Sequence, residues 1–297
     1  MTAMRAPSTT LAAAFAAVLV AGACTTGTAQ GPTPLPGPTT AAAEPGSLPT
    51  PDHVVIVVFE NKDIDQIIGS PAAPYLTGLA HSGANFTDAH GEQHPSQPNY
   101  IALLSGSTHG VTDDSCPQDL GDQPNLARQL LDAGHSFIGY SEGMPSPGFA
   151  GCGYEGRYAR KHNSWVDFAN VPASSNLPFS AFPADFAALP TVAVVVPDLC
   201  HDMHDCPVEA GDDWARQHLD AYVQWARDHN SLLVVTFDED DGSKANHIAT
   251  LFVGPMVRPG VADQPINHYS ILRTVEAMYH LPALGQAATT PAITSIW

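Results

Sequence analysis

Runs of β-branched residues alternate with amphipathic segments from residue 52 to residue 297. Continuous apolar runs are typical of strands buried on both faces of a parallel sheet, and helical periodicity is typical of the helices that cover it. Strands are predicted at 53–59, 85–89, 135–140, 191–196, 231–237 and 248–253, and helices at 73–82, 125–133, 213–230 and 270–281. This alternation predicts one α/β domain, residues 52–297, with a mainly parallel central sheet.

Two stretches stand apart from this alternation. Residues 141–186 are rich in Gly, Pro and aromatic residues, and they are predicted to be irregular and too long for an ordinary connection. Ser96 lies between Pro95 and Pro98, ahead of a short apolar run. This pattern predicts a stiff turn with a hydroxyl at the start of a helix. Such a hydroxyl is either a nucleophile or a simple helix cap, and the stretch alone does not decide between them.

Oxygen donors directly follow two of the predicted strands. Glu60 and Asn61 come after the first strand, and Asp238 and Glu239 come after strand 231–237. The carboxyl ends of parallel strands share one edge of the sheet, where sites form in α/β proteins. Each of these two pairs taken alone could be part of a solvated turn. Together, their oxygens suit a hard divalent cation of the Mg, Ca or Mn type, with Zn or Fe as further options. The predicted ligands of this single ion are Glu60, Asn61, Ser96, Asp238 and Glu239.

Positive charge is scarce in this chain and is concentrated at one place. The net charge is −19 with only 11 Lys plus Arg residues, which argues against nucleic acid as a partner and against attraction to anionic membranes. Arg160, Lys161 and His162 are adjacent, and they are predicted to bind phosphate together with His247, a solvated basic patch being the alternative. The expected partner is a phosphorylated substrate held by these local cations, and we expect a monomer.

The segment after strand 191–196 is dense in Asp and His. His204 lies in this polar loop and is predicted to protonate the leaving group as a general acid, whereas the alternative is a polar loop with capping Asp residues. The domain has an even number of cysteines, which predicts two disulfides: Cys200 with Cys206 closes a tight loop and leaves Cys116 with Cys152. A zinc site is the competing interpretation, although a Cys-x-x-Cys pair is lacking.

The N-terminal region has the composition of an exported protein. Residues 1–23 hold Arg5, an apolar run and small residues, as in a signal peptide. Cys24 follows Ala21-Gly22-Ala23, which is similar to a bacterial lipobox except for Ala21, so lipidation of Cys24 and simple cleavage are both open. Residues 24–51 are rich in Thr, Pro and Ala and are predicted to be a disordered tether. The expected location is secreted or lipid-anchored on the outer face of the bacterial cell membrane, with no other membrane contact.

Five ordered motifs carry a family resemblance. They are the strand with Glu60-Asn61, His94-Pro95-Ser96-Gln97-Pro98-Asn99-Tyr100, Arg160-Lys161-His162, Asp202-Met203-His204-Asp205, and Thr236-Phe237-Asp238-Glu239. From about residue 52 to 297 the chain resembles the bacterial phosphoesterase family of acid phosphatases and phospholipases C, within the alkaline phosphatase superfamily, and most of all the secreted acid phosphatases of mycobacteria. The resemblance implies an alkaline phosphatase-like three-layer sandwich. It also implies a nucleophile at Ser96, metal or phosphate contacts at Glu60, Asn61, Asp238 and Glu239, and an essential His204.

One departure from the family pattern bears on the metal. Asp198 stands where these phosphatases usually have Asn, and it is similar to the Asp that binds a second metal in the two-metal members of the superfamily. A second metal held by Asp198 with His201 or His204 is therefore an open alternative. Such a metal would remove His204 from the role of general acid.

These features together predict an exported acid phosphatase that hydrolyses phosphate monoesters through a phosphoserine on Ser96. The expected substrate is a phosphorylated small molecule, a phosphoprotein or a phosphoinositide. An acid optimum is expected because low pH favours a protonated His donor. A phospholipase C-type phosphodiesterase is the alternative on the same fold. A surface lipoprotein that binds phosphorylated ligands without turnover is a third hypothesis.

Overall fold

The computed structural model describes residues 48–242 and 245–297, which belong to one compact unit. The predicted signal peptide, Cys24 and most of the predicted tether lie outside the described residues. The last part of that tether is held against the domain. The Thr50 hydroxyl donates to the Met278 carbonyl (3.1 Å), and the Asn230 side chain donates to the Thr50 carbonyl (2.9 Å). Thr50 is therefore hydrogen-bonded to the folded domain on both its side chain and its carbonyl.

Short and long strands share the central sheet. The strands are β1 (His53–Phe59), β2 (Ala84–Phe86), β3 (Ala89–His90), β4 (Phe137–Ser141), β5 (Gly153–Tyr154), β6 (Tyr158–Ala159), β7 (Asn176–Pro178), β8 (Val192–Val196), β9 (Ser231–Phe237), β10 (Thr250–Val253), β11 (Gly260–Ala262) and β12 (Ile266–Asn267). Eight of them form the central sheet in the order β11-β2-β10-β9-β1-β8-β4-β7. β10 is antiparallel to β9 and β2, and the other neighbouring strands are parallel. The middle of the sheet is β1, where Val57 lies opposite Val195 of β8 and Val235 of β9.

Helices cover both faces of this sheet. They are α1 (Ile64–Ile67), α2 (Pro74–Ser82), α3 (Ser96–Ser105), α4 (Leu126–Asp132), α5 (Val208–Ala226) and α6 (His268–Met278). α2 packs against α5, and α3 packs against α4 and α6. All of β9 and all of β1 beyond His53 are buried, so both faces of the central strands are covered. The α/β fold class predicted from the sequence, with its mainly parallel sheet, is confirmed.

Some element boundaries differ from the predicted ones. α5 begins at Val208, directly after Pro207, rather than at residue 213. Pro207 is the extended N-cap residue, and the helix does not continue before it because the residue preceding a proline disfavours the helical conformation. The predicted strand 85–89 is two short strands, β2 and β3. The segment predicted to be irregular contains β5, β6 and β7, and β7 adds a three-residue edge strand beside β4, too short to give an apolar run.

Both predicted disulfides are present, Cys116–Cys152 and Cys200–Cys206. The second closes the loop that follows β8, which is the polar loop around His204. Within the part of the chain that the structure describes, no helix has the length and apolar character needed to cross a membrane.

Candidate active site

The polar residues that follow β1, β8 and β9 meet at one edge of the sheet. β1 lies between β8 and β9, and all three strands run in the same direction, so their carboxyl ends are adjacent. The main-chain N–H of Glu60 donates to the carbonyl of Asp202 (2.8 Å), and the N–H of Asn61 donates to Asp238 Oδ1 (3.2 Å). Neighbouring strand ends are thus joined directly. This is the edge at which α/β sheets form their sites.

Ser96 is the first residue of α3 and is almost fully buried. Its Oγ lies 2.9 Å from Glu60 Oε2 and 3.0 Å from Glu239 Oε1. A serine hydroxyl has one proton, so it can donate to only one of these carboxylates at a time. The hydroxyl therefore lies between two acceptors at the N-terminus of a helix, where a negative charge is favoured.

The side chain of Asn99, near the start of α3, holds the turn that precedes this helix. Asn99 Oδ1 accepts the N–H groups of Glu92 (2.9 Å) and Gln93 (3.0 Å), and its Nδ2 donates to the Gln93 carbonyl (2.7 Å). Pro95 is extended and precedes the first helical residue. The polar and proline residues of this motif thus fold the chain sharply into α3 and leave the Ser96 hydroxyl facing the strand ends.

Several carboxylates are buried close together at this site, and burial makes their ionised forms unfavourable. Burial raises the pKa of Glu60 well above its ordinary value, and the charge of Asp202 adds to the shift. Burial also raises the pKa of Asp238, followed by the charges of Glu60 and Glu239. The pKa of Glu239 is raised by burial despite the opposing effect of His94, and burial raises the pKa of Asp202 to about 8. Ionisation of this cluster costs free energy that a cation would offset.

The predicted metal ligands fit a hard divalent cation by their donor chemistry. Glu60, Glu239 and Ser96 contribute oxygens around one point, and Asp238 adds a carboxylate whose buried Oδ2 makes no hydrogen bond among the described residues. Asn61 has a left-handed backbone (φ 52°), and its N–H binds Asp238. Oxygen donors without thiolate suit ions of the Mg, Ca or Mn type.

A second possible ligand group includes Glu60, His162 and His204, with donor atoms within 4.8 Å of one another. The ammonium of Lys161, however, lies 3.3 Å from His204 Nε2. A cation so close to this group repels a metal ion. The side of Glu60 that faces Ser96 is therefore the more favourable place for a divalent ion.

Lys161 and His204 share the space beside the carboxylates. Lys161 Nζ donates to Asp114 Oδ2 (2.8 Å), and His204 Nδ1 lies 2.7 Å from Asp205 Oδ1. Burial lowers the pKa of Lys161, but the hydrogen bond and charge of Asp114 outweigh burial and raise it. Asp114 also accepts the N–H of Gln97 (2.9 Å), which ties Lys161 to the first turn of α3. A fixed ammonium therefore lies near Ser96.

The other residues predicted to bind phosphate have different surroundings. His162 is buried between Asp202 (3.2 Å) and Glu60 (3.1 Å), and burial lowers its pKa well below the ordinary value. Arg160 binds the buried carboxylate of Asp167 (2.9 Å) and main-chain carbonyls, and His247 Nε2 lies 2.9 Å from the Thr87 carbonyl. Of the four residues predicted to bind phosphate, Lys161 is the one held by Asp114, which also binds the first turn of α3.

Asp198 and His201, the predicted second metal ligands, lie together with Glu142. His201 Nδ1 is 2.9 Å from Glu142 Oε2, and the Asp198 N–H donates to the same oxygen (3.1 Å). Arg157 Nε donates to Asp198 Oδ2 (2.7 Å). This carboxylate is thus already paired with a guanidinium, which weakens the case for a cation there.

Two positioning groups in the Ser96 motif received no role from the sequence. The Tyr100 hydroxyl donates to Glu60 Oε1 (2.5 Å), and His94 Nδ1 binds Glu239 Oε2. Tyr100 follows Ser96 by one helical turn, so the i, i+4 spacing indicates that both share a face of α3. That spacing is the signal that could have indicated Tyr100. His94 contacts Glu239 only through the tertiary fold, and no local pattern indicates this contact.

The architecture of this chain is similar to the alkaline phosphatase fold. The fold is similar to that of an alkaline phosphatase superfamily protein from Vibrio parahaemolyticus (TM-score 0.58, 15% identity, covering 86% of this chain and 76% of that one). It is also similar to a phosphonate monoester hydrolase from Silicibacter pomeroyi (TM-score 0.55, 12% identity, covering 82% and 76%). At these identities the likeness concerns the fold alone.

Sequence comparison specifies the family. The model of the Phosphoesterase family matches residues 70–282, and this chain belongs to that family. It is 49% identical over 253 residues to the phosphatidylinositol-3-phosphatase of Mycobacterium tuberculosis, covering 84% of both chains. It is 33% identical over 250 residues to an acid phosphatase of Aspergillus fumigatus, covering 77% of this chain but only 55% of the fungal one. The predicted family resemblance is confirmed, and the chain is a phosphoesterase.

Proposed function

We propose that this phosphoesterase is an exported acid phosphatase that hydrolyses phosphate monoesters through a phosphoserine on Ser96, assisted by one divalent metal ion. The observation that carries the proposal is the buried Ser96 hydroxyl at the start of α3, within 3.0 Å of two carboxylates. A serine that only caps a helix does not need two buried carboxylates beside it. Names of relatives support the reaction class, because acid phosphatases occur among them.

In the proposed reaction, Ser96 Oγ attacks the phosphorus of the ester and loses its proton. The bond between phosphorus and the ester oxygen breaks, and the alcohol leaves after receiving a proton. Water then attacks the phosphoserine, and Ser96 recovers its proton as inorganic phosphate departs. Two easier steps replace one difficult displacement.

The proposed ligands of the ion are Glu60, Asn61, Ser96, Asp238 and Glu239. When bound, a divalent ion would stabilise the deprotonated form of the serine and withdraw charge from the phosphoryl group. Support comes from the buried carboxylates, whose raised pKa values indicate uncompensated negative charge. The ions most compatible with oxygen ligands are Mg, Ca and Mn.

Lys161 is the proposed phosphate-binding cation, and His204 is the proposed general acid. Lys161 is held by Asp114 near the first turn of α3, so its ammonium can neutralise a non-bridging phosphate oxygen. Asp205 binds Nδ1 of His204, whereas Nε2 faces the Lys161 ammonium at 3.3 Å, so in the proposed reaction Lys161 turns to the phosphate and Nε2 then donates a proton to the leaving oxygen. An imidazolium is favoured at low pH, and this supports an acid optimum.

Within the predicted set of substrates, the name of the mycobacterial relative, phosphatidylinositol-3-phosphatase, favours a phosphoinositide. We also propose that residues 1–23 are a signal peptide and that residues 24–51 form a tether, with lipidation of Cys24 as one route to the outer face of the membrane. Mass measurement of the N-terminus of exported protein would distinguish lipidation from simple cleavage.

The deciding experiment compares wild type with Ser96→Ala on p-nitrophenyl phosphate at pH 5 to 6, each with and without EDTA. Ser105→Ala, at the other end of α3, is the matched control because Ser105 is equally buried and hydrogen-bonds carbonyls of α3 and its following turn. We expect activity in wild type and control only, and an acid-quenched digest should carry one phosphate on the Ser96 peptide. Activity in Ser96→Ala equal to that of wild type would overturn the nucleophile. Faster turnover of bis(p-nitrophenyl) phosphate than of p-nitrophenyl phosphate would instead favour the phosphodiesterase alternative.

A further inference from the structure

Tyr100 is a buried phenol that contacts a single oxygen of Glu60. It lies one turn after Ser96 on α3, is 2% exposed, and donates from its hydroxyl to Glu60 Oε1 at 2.5 Å. Its ring is stacked on that of His162, with centroids 5.3 Å apart and an angle of 14° between the planes. A phenol is protonated at neutral pH, so it acts as a donor here. The stacking fixes the ring and thereby the direction of the hydroxyl.

The two oxygens of Glu60 therefore have separate partners. Oε2 faces Ser96 Oγ at 2.9 Å, and Oε1 accepts the Tyr100 hydroxyl, with His162 Nε2 3.1 Å away. The backbone of Glu60 is anchored as well, because its N–H donates to the Asp202 carbonyl (2.8 Å). Rotation of the carboxylate that brought Oε1 toward Ser96 would break the bond to Tyr100 inside a buried site.

We propose that Tyr100 is a positioning residue that reserves Oε1 of Glu60, so that Glu60 offers one oxygen to a divalent ion and the site prefers Mg²⁺ to Ca²⁺. This inference rests on the proposed metal role of Glu60 and Ser96. Mg²⁺ is small and needs near-octahedral geometry, with one or two carboxylates, whereas Ca²⁺ accepts more oxygens and often takes both from one carboxylate. Groups that orient a metal ligand commonly contribute 10- to 100-fold in metal affinity.

Metal binding to the EDTA-stripped full-length protein tests this role without relying on turnover. Dissociation constants for Mg²⁺ and Ca²⁺ are measured by calorimetry for wild type, Tyr100→Phe and Tyr222→Phe. Tyr222 of α5 is the matched control, because it is equally buried and its hydroxyl donates to a main-chain carbonyl, that of Leu232 (3.2 Å). Phenylalanine keeps the ring and its stacking, so Tyr100→Phe removes only the hydroxyl.

We expect Tyr100→Phe to weaken Mg²⁺ binding by at least about tenfold and Ca²⁺ binding by less, which lowers the preference for Mg²⁺. Tyr222→Phe should keep the wild-type ratio of the two dissociation constants. A merely structural role would weaken both ions alike and overturn the proposal. Unchanged dissociation constants in Tyr100→Phe would also overturn the role of Tyr100, and they would leave the proposed metal site intact. Wild type that binds neither ion would overturn both. If Tyr100→Phe is too unstable for calorimetry, the same comparison uses the shift of the unfolding temperature caused by each ion.

Discussion

Glu60 is fully buried beside other carboxylates, and we expect Glu60→Gln to stabilise the metal-free protein while it removes metal binding and activity. Glutamine has nearly the same shape. Its oxygen can accept the Tyr100 hydroxyl, and its amide can donate to Ser96, so the hydrogen bonds of the site can be satisfied again. What the substitution removes is one negative charge.

The size of the effect follows from the distances around Ser96. Glu60 Oε2 and Glu239 Oε1 each lie about 3 Å from Ser96 Oγ, so these two oxygens are at most about 6 Å apart. Two unit charges at about 6 Å repel by about 3 kcal/mol at an effective dielectric constant of about 20. Part of this repulsion is relieved when a group binds a proton. A stabilisation of about 1–3 kcal/mol is therefore expected at pH 8.

The pH dependence has a definite sign. The pKa of Glu60 is raised in the folded protein, by burial first and by the charge of Asp202 second. Below the unfolded pKa of about 4.3 both states are protonated, and the stability of the neutral form is fully present. As the pH rises through the raised folded pKa, that stability is lost. The free energy of unfolding of metal-free wild type should therefore fall from pH 5 to pH 8, and that of Glu60→Gln should fall less.

Urea unfolding in EDTA at pH 5 and pH 8 measures this difference, with a second series in Mg²⁺. Glu155→Gln is the control, because Glu155 is exposed and its charge costs little. Added Mg²⁺ should stabilise wild type and leave Glu60→Gln unchanged. The reasoning is refuted if Glu60→Gln is less stable than wild type in EDTA at pH 8.

Other substitutions test separate parts of the structure. Glu276 is buried, and burial raises its pKa to about 7. In urea unfolding, Glu276→Gln should therefore be up to about 3 kcal/mol more stable than wild type at pH 8 and equal to it below about pH 4.5. Equal stability of the two proteins at both pH values would contradict the raised pKa. Cys200→Ser with Cys206→Ser opens the loop around His204 and should lower the free energy of unfolding by about 2 kcal/mol and reduce turnover. Unchanged turnover would show that the loop does not need its disulfide. Lys161→Met should raise the inhibition constant of inorganic phosphate by about tenfold or more. Arg160→Lys should leave that constant within about twofold and instead lower stability, since Arg160 binds Asp167 and carbonyls; the reverse order would restore Arg160 to the phosphate site.

The fold was largely predictable because its central strands carry an unmistakable pattern. The runs 53–59 and 231–237 are apolar throughout, and the structure has strands with these same bounds. β7 and β11 were not predicted, because short edge strands pair through their backbones and need no apolar run. α5 begins earlier than its apolar face suggests, because Pro207 rather than hydrophobic spacing sets its start.

Candidate site residues were predictable to the extent that strand order brings their positions together. Glu60 and Asp238 directly follow neighbouring parallel strands, so their proximity follows from the sheet. Arg160 and Lys161 are adjacent in sequence but have different partners. In the short helix that holds both, successive side chains point in different directions, and Arg160 reaches Asp167 while Lys161 reaches Asp114.

The sequence by itself determined the alternation of strands and helices, the family motifs and the cysteine pairs, because these depend on local pattern and spacing. The tertiary structure alone decided which partner each polar group received. Tyr100 and His94 hold the carboxylates beside Ser96, and Asp114 holds Lys161, through contacts between elements distant in sequence. Such contacts are decided by packing, since a hydrogen bond depends on a few tenths of an ångström that no local pattern encodes.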